Sequence, residues 1–559
     1  MDRRRFIKGS THTLAGSLAN ACAGPLGLPM TALLGTGVAR AADAPNASTP
    51  ASAPSRREIV RVLAQGAPNS LDPHGDSFNR ESIGAFTNVY DRLLQFDRTV
   101  IPGHAYHYDY RHMKGELATA FEPLDNGRAW RFHLRRDARF HSGALVTANA
   151  VKWSLDRAVA LPASKRQLAS GSLTDPAQFV VEDPFTLRID LPRPDRYALP
   201  NLALSYTSIL DADVIRAHAG ADDPWGTAWL RSNAAGGGAY RVADWQSGQR
   251  VDYVRNDAWR SGALPFMRRA IVQAVPEAAN RSAALARGDA DIALQLAPRD
   301  FDAAGKLPGV TTLSIPLTNT FRFIAFNTQI KPFDDVRVRQ AIAFALPYED
   351  LFGGVARGHG TRLFGAAPGS PPAPRWPQPY PYATRPDQAR ALLREAGLPN
   401  GFKTTLTYNA TDSDIAEPAA LLVQQALKAV GIDITIEKAP GAQWGALQTE
   451  KRLPFFIDWS SAWLNDPDYF YRIFFEGDWR WNFASFSDPA LVRLTDAARW
   501  ETDPARYDAL MRQAAALVIR AAPLLPLWLP SFDIAMRSDL RGFTYYIHAQ
   551  VDFRPLQRA

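Results

Sequence analysis

Thr404-Thr-Leu-Thr-Tyr408 alternates β-branched and aromatic residues, Ala419–Val430 carries apolar residues at helical spacing and stops at Gly431, and Ile432-Asp-Ile-Thr-Ile-Glu437 alternates again. The order strand, helix, strand decides the fold class. Two antiparallel neighbours need only a tight turn, whereas a full helix between two strands is the crossover that parallel strands require. The glycine after the helix fits the left-handed backbone with which many helices end. This stretch therefore reads as a βαβ unit, and the chain as an α/β protein with mixed sheets.

Working outward, Arg322–Phe326 reads as a strand, Val336–Ala345 as a helix, and Asp387–Glu395 as a helix stopped at Gly397. Order begins at the alternating strand Glu58–Leu63, which runs into Gln65-Gly66-Ala67-Pro68 and the turn Leu71-Asp72-Pro73. Ile83, Phe86, Val89, Tyr90, Leu93 and Leu94 follow near helical spacing. Strands are expected at Ala129–Arg135, within Phe179–Leu191 and Gly238–Val254, and at Ala270–Val275 and Asp289–Ala293. Helices are expected at Ala148–Val159, with Thr147 as its cap, and at Glu277–Arg287. Pro523-Leu-Leu-Pro-Leu-Trp-Leu-Pro530 is apolar but broken by prolines, so an edge or crossing segment is expected there.

With 559 residues, 46% of them hydrophobic, the chain exceeds what one core usually holds and should form more than one lobe. A single cysteine, Cys22, excludes an intramolecular disulfide framework and any cysteine-based zinc site within one chain. Asp2-Arg3-Arg4-Arg5-Phe6-Ile7-Lys8, an apolar Leu14–Val38 broken by glycines and prolines, and Ala39-Arg40-Ala41 resemble a twin-arginine export signal over residues 1–41. Residues 42–57, rich in Ala, Pro and Ser, read as a flexible leader. The formal charge is +7; removing 1–41 leaves 58 basic against 55 acidic residues, a net +3. The basicity thus belongs mainly to the export signal, and nucleic-acid binding loses its support.

Leu71-Asp-Pro73, Val89-Tyr-Asp-Arg-Leu-Leu94, Trp130-Arg-Phe-His-Leu-Arg135, Phe140-His-Ser-Gly143, Gly237-Gly-Ala-Tyr240, Ala284-Leu-Ala-Arg-Gly-Asp-Ala-Asp-Ile292, Pro332–Ile342 and Asp466-Pro467 resemble, in this order, the family 5 extracellular solute-binding proteins of ABC importers. The resemblance runs from residue 58 to about residue 540. It implies a two-lobe periplasmic binding protein of type II, closing on a solute about a hinge. Lobe I is expected over 58–316, with an extra subdomain near 90–235, lobe II over 317–524, and a return to lobe I over 525–559. The resemblance also implies a permease and an ATPase on separate chains in the inner membrane, a periplasmic location and a monomeric receptor. No cofactor and no metal are expected. The ligand it implies is a peptide or peptide-like solute, with an oligosaccharide, an opine-like conjugate or a nickel chelate as alternatives.

For the site, the resemblance points to Gln65, Gly66 and Ala67 after the first strand, and to the segment before Asp466-Pro467. The family's peptide receptors carry there an aspartate for the ligand's amino group; here Trp463 stands at or beside that position, so this anchor is either missing or moved to Asp458, Asp466 or Asp468. Asp458, Trp459, Ser460, Ser461, Trp463 and Asp466 are thus candidate ligand contacts. Each tryptophan reads equally as a stacking wall or as core packing. The arginine that some dipeptide receptors carry between Tyr408 and Pro418 is missing, and Asp412, Asp414 and Glu417 stand there instead.

Two competing patterns carry less. His104-Ala-Tyr-His107, Asp109 and His112 have metal-like spacing, but the stretch reads as a solvated loop insertion. Gly75-Asp76-Ser77-Phe78 resembles the nucleophile block of a secreted esterase class, with Asp109-x-x-His112 as a misplaced partner. That class puts its Asp-x-x-His near the chain end, so a binding protein rather than an enzyme is expected.

Overall fold

The computed structural model describes residues 54–76, 78–548 and 550–559. The export signal and most of the leader, as well as Ser77, lie outside the described residues.

The βαβ unit is present. Phe402–Asn409 pairs in parallel with Ile432–Ala439 over eight residues, and the helix Ser413–Lys428 connects them. That helix starts six residues earlier than expected, at Ser413, and runs through Pro418. The loop between strand and helix shrinks to Ala410–Asp412. Gly401 explains the close pairing at the strands' start: its φ is +72°, and a Cβ there would lie 1.9 Å from the Gly431 carbonyl oxygen. Only glycine fits that approach.

Two large mixed sheets organise the chain. The first runs in the order Val310–Pro316, Ser531–Arg537, Ile292–Ala293, Ile59–Ala64, Arg269–Ala274, Arg250–Arg255, Tyr240–Gln246. Ile59–Ala64 is parallel to both its neighbours, and the outer pairings are antiparallel. The second runs Thr361–Arg362, Leu524–Leu529, Thr320–Phe326, Phe455–Ser461, Phe402–Asn409, Ile432–Ala439. The chain passes from the first sheet to the second between Pro316 and Thr320, and returns at Pro530 between Leu524–Leu529 and Ser531–Arg537. Neighbouring strands of one continuous segment thus belong to different sheets.

The proline-broken segment is the crossing expected, with the passage between sheets at Pro530, but it is not an edge: Leu524–Leu529 is an inner strand, hydrogen-bonded on both sides. Pro526 is tolerated because it sits opposite Phe323, where the register shifts, so the missing N–H falls at an irregularity instead of a regular rung. The histidine-containing stretch is corrected as well. Ala105–Gly115 is not a loop but the second arm of a hairpin with Leu94–Ile101, and it also pairs with Thr544–Tyr546. His107 stacks on Tyr545 at 5.0 Å, and exposed His112 pairs with Asp109 at 2.7 Å. Among the described residues no three His, Cys, Asp or Glu side chains gather as a metal site. Thr147 stands at the start of the helix Ala148–Ala160 in extended backbone, but its side chain makes no capping hydrogen bond.

The second sheet packs on an aromatic core. Phe470, Phe474 and Phe475 of the helix Pro467–Phe475 surround Trp376, and Phe474 lies edge-on to Phe321 at 5.1 Å and stacked on Phe483 at 5.8 Å. Fully burying one such ring contributes about 1.5–3 kcal/mol before chain entropy is counted. In the other half, the glycines before Tyr240 let two segments touch: a Cβ on Gly238 would lie 2.5 Å from the Val89 carbonyl carbon. No helix among the described residues is long and apolar enough to cross a membrane.

Candidate functional site

The candidate residues after the first strand lie where the turn after Ile59–Ala64, from the first sheet, meets the loop after Phe402–Asn409, from the second. Gln65 bridges them: its Nε2 donates to the Thr411 carbonyl at 3.0 Å, and its backbone N–H donates to Gln295 Oε1 at 3.0 Å. Gly66 lies against Glu81, whose Cδ would be 3.2 Å from a Cβ at that position. The Ala67 carbonyl accepts from Asn79 Nδ2 at 2.9 Å, and Asn79 caps the helix Arg80–Val89. The capped helix start holds Arg80 and Glu81 next to this turn.

Side chains alternate along Phe455–Ser461, so Trp459 and Ser461 share one face, and Asp458 and Ser460 the other. Arg80 lies over the Trp459 ring, with its guanidinium carbon 4.2 Å from the centroid. Its Nη1 donates to Ser461 Oγ at 3.3 Å and to His548 Nδ1 at 3.4 Å. Trp463 stands edge-on to Tyr206 at 4.9 Å and 3.9 Å from the His548 ring. Gln65, Gly66, Ala67, Trp459, Ser461 and Trp463 thus gather around Arg80, Glu81, Tyr206 and His548. Burial lowers the pKa of Arg80, raises that of Glu81, and holds that of His548 well below the ordinary histidine value. His548 is neutral at pH 7 as a result.

The remaining candidates are placed apart from this cluster. Asp458 is buried and accepts from Trp444 Nε1 at 3.0 Å and Gln448 Nε2 at 2.5 Å. Ser460 is buried opposite Phe321. Asp466 caps Pro467–Phe475 and accepts from Tyr197 Oη at 2.7 Å and Tyr507 Oη at 2.5 Å. Asp468 accepts from Tyr197 Oη at 3.2 Å, and burial raises its pKa to about 6.

Desolvation also raises the Asp458 pKa to about 6, above its unfolded value near 3.8. A raised acid binds its proton more tightly in the fold, so its ionisation opposes folding, fully so above pH 6 and not at all below about pH 4. Asp458→Asn is therefore expected to raise stability at pH 8 by about 1–3 kcal/mol. Urea unfolding across the pH range should show that gain shrinking as pH falls from 6 to 4, and a pH-independent difference would contradict this placement.

The loop after Phe402–Asn409 carries no arginine of its own, but one reaches it. Arg322 of Thr320–Phe326 lies opposite both Trp459 and Trp528, and donates to Asp412 Oδ2 and Oδ1 at 2.6 and 3.1 Å. That guanidinium is committed to the protein's own acid. Sequence reading missed Arg80, Arg322, Tyr206 and His548. A lone arginine at a helix start or inside an apolar strand has no spacing signal, and His548 is 468 positions from the Arg80 it touches.

The profile of the bacterial extracellular solute-binding proteins, family 5 Middle, matches residues 112–482. A protein of Escherichia coli strain K12 named "Probable D,D-dipeptide-binding periplasmic protein" is 27% identical over 497 residues, covering 88% of this chain and 92% of its own length. The glutathione-binding protein of Salmonella choleraesuis strain SC-B67 is 26% identical over 505 residues, covering 86% of this chain and 91% of its own. The ABC transporter-associated periplasmic binding protein DppA of Helicobacter pylori, solved with the peptide STSA, superposes with a TM-score of 0.75 at 22% identity, covering 89% of this chain and 98% of its own. The fold is thus that of the two-lobe periplasmic binding proteins, whose family members bind small ligands or peptides and work with ABC permease components. The chain belongs to the family 5 bacterial extracellular solute-binding proteins.

Proposed function

We propose that this protein is the receptor of an ABC importer that captures a peptide or peptide-like solute between its two lobes. The lobes are residues 58–316 together with 525–559, and 317–524. The observation that carries the reading is the meeting of Gln65 and Thr411, next to two partly exposed tryptophans, at a place supplied by both large sheets. Closure there would let one solute bind both halves, and a permease could sense the closed state. Gln65, Gly66, Trp459, Ser461 and Trp463 form the contact surface, while the buried Ala67, Asp458 and Ser460 support it from behind and Asp466 supports it from the adjoining helix. The receptor works as a monomer in the periplasm after twin-arginine export, with permease and ATPase as separate chains. It carries out no catalysis.

Native mass spectrometry of the exported protein should reveal a co-purified peptide or peptide conjugate. A sugar or a metal chelate in its place would replace the peptide reading. Trp463→Ala is expected to weaken binding of the recovered solute by about 10- to 100-fold, as loss of a buried aromatic contact does. Calorimetry measures it, with circular dichroism unchanged; unaltered affinity would make Trp463 a packing residue.

A further inference from the structure

We infer that Arg80, laid on Trp459 between Ser461 and His548, anchors a carboxylate of the captured solute. This rests on the receptor reading above and specifies the chemistry of its ligand.

Most donors of the Arg80 guanidinium have no acceptor among the described residues. Among the described residues no carboxylate lies within ion-pair distance of Arg80; the acids whose charge reaches it, Glu81 and Asp458, make no such contact. Its two protein acceptors are both served by Nη1, at the long distances of 3.3 and 3.4 Å. Nε and Nη2 are left with no described protein acceptor. A guanidinium offers five N–H groups in a planar fork, so most of this fork is unspent.

The neighbouring histidine adds a second unused donor. His548 is 5% exposed, and accepting from Arg80 at Nδ1 places the proton of the neutral ring on Nε2. Nε2 is buried and has no hydrogen-bond partner among the described residues. A buried donor without an acceptor is unfavourable, and a withdrawn cation without a counter-charge more so. Arg339 and Arg281, by contrast, each spend three nitrogens on carbonyls. An ionised carboxylate, which only accepts, is the complement that this cluster lacks. The Trp459 face fixes the plane of the fork, which favours a planar anion over a spherical one.

Placement also matters. Arg80 stands on the helix after the first strand, whereas Trp459 and Ser461 belong to the second sheet. A carboxylate bound by Arg80 would therefore sit where both halves contribute, and would be held only with the two closed on it.

The test uses the exported mature chain and follows thermal shift and tryptophan fluorescence. The probes are alanyl-phenylalanine and alanyl-glutamate as free acids and as C-terminal amides, together with benzoate and benzamide. The free acids should bind at least about 10-fold more tightly than the amides, in line with the strength of a charge-assisted bidentate bond. Arg80→Gln should remove that discrimination, and Arg80→Lys should retain part of it. The melting temperatures of the unliganded variants report on folding separately. Equal binding of acids and amides by the wild type overturns the inference and leaves the peptide reading standing. Benzoate preferred over benzamide in an Arg80-dependent way, with no peptide bound, upholds the inference and removes the peptide reading. No preference for a carboxylate in any pair overturns the inference.

Discussion

Asp72→Ala is expected to destabilise the protein by about 3–5 kcal/mol, the cost of leaving a buried charge without its partner. Arg157 is fully buried, and its Nη1 and Nη2 donate to the two Asp72 oxygens at 2.8 and 2.7 Å. Its remaining described partner is the Trp225 carbonyl, reached from Nε at 3.0 Å. Asp72 also accepts from the His74 N–H at 3.0 Å, while the Tyr90 hydroxyl donates to the Leu71 carbonyl at 2.7 Å. The turn thus ties the first strand to two helices. Urea unfolding measures the loss, with Asp97→Ala as the control: the Asp97–Lys114 pair is nearly half exposed and should contribute less than about 1 kcal/mol. Equal effects of the two substitutions would contradict the reading of Asp72 as a buried anchor.

Arg322→Ala is expected to cost about 2–4 kcal/mol and to lower solute affinity in the same variant. Without the guanidinium, Asp412 keeps a mostly buried charge with no bidentate partner, and Ala410–Asp412 loses its tie to the sheet. Thr411, the carbonyl that Gln65 reaches from the other half, moves with that loop. Arg322→Lys keeps the charge but not the fork and should fall between the two. A loss of stability with unchanged affinity would separate this loop from the solute.

Much of the fold was legible because its signals are local. The βαβ unit at Phe402–Ala439 declares itself through two alternating strands, a helical period and the helix-ending Gly431, all within 38 positions. The edge reading of Leu524–Leu529 failed because a proline usually marks an edge; the register shift that excuses Pro526 depends on Phe323, 203 positions earlier. The His104–His112 stretch looked like a loop because its other pairing partner, Thr544–Tyr546, comes from the far end of the chain. At the site, the turn Gln65–Ala67 and the tryptophans could be singled out from sequence order. The polar groups that complete the cluster could not: Arg80 and His548 are brought together by tertiary packing alone, as is the separate Arg322–Asp412 pair, and no residue spacing encodes them.

The central claim is that two lobes close on one solute, and small-angle X-ray scattering tests it most directly. The mature chain, stripped of co-purified solute by unfolding and refolding, is measured alone and after that solute is returned at saturation. The account predicts a smaller radius of gyration and a shorter maximum dimension with solute bound, reversed when the solute is dialysed away. Identical scattering with and without a solute that calorimetry shows to be bound would contradict it.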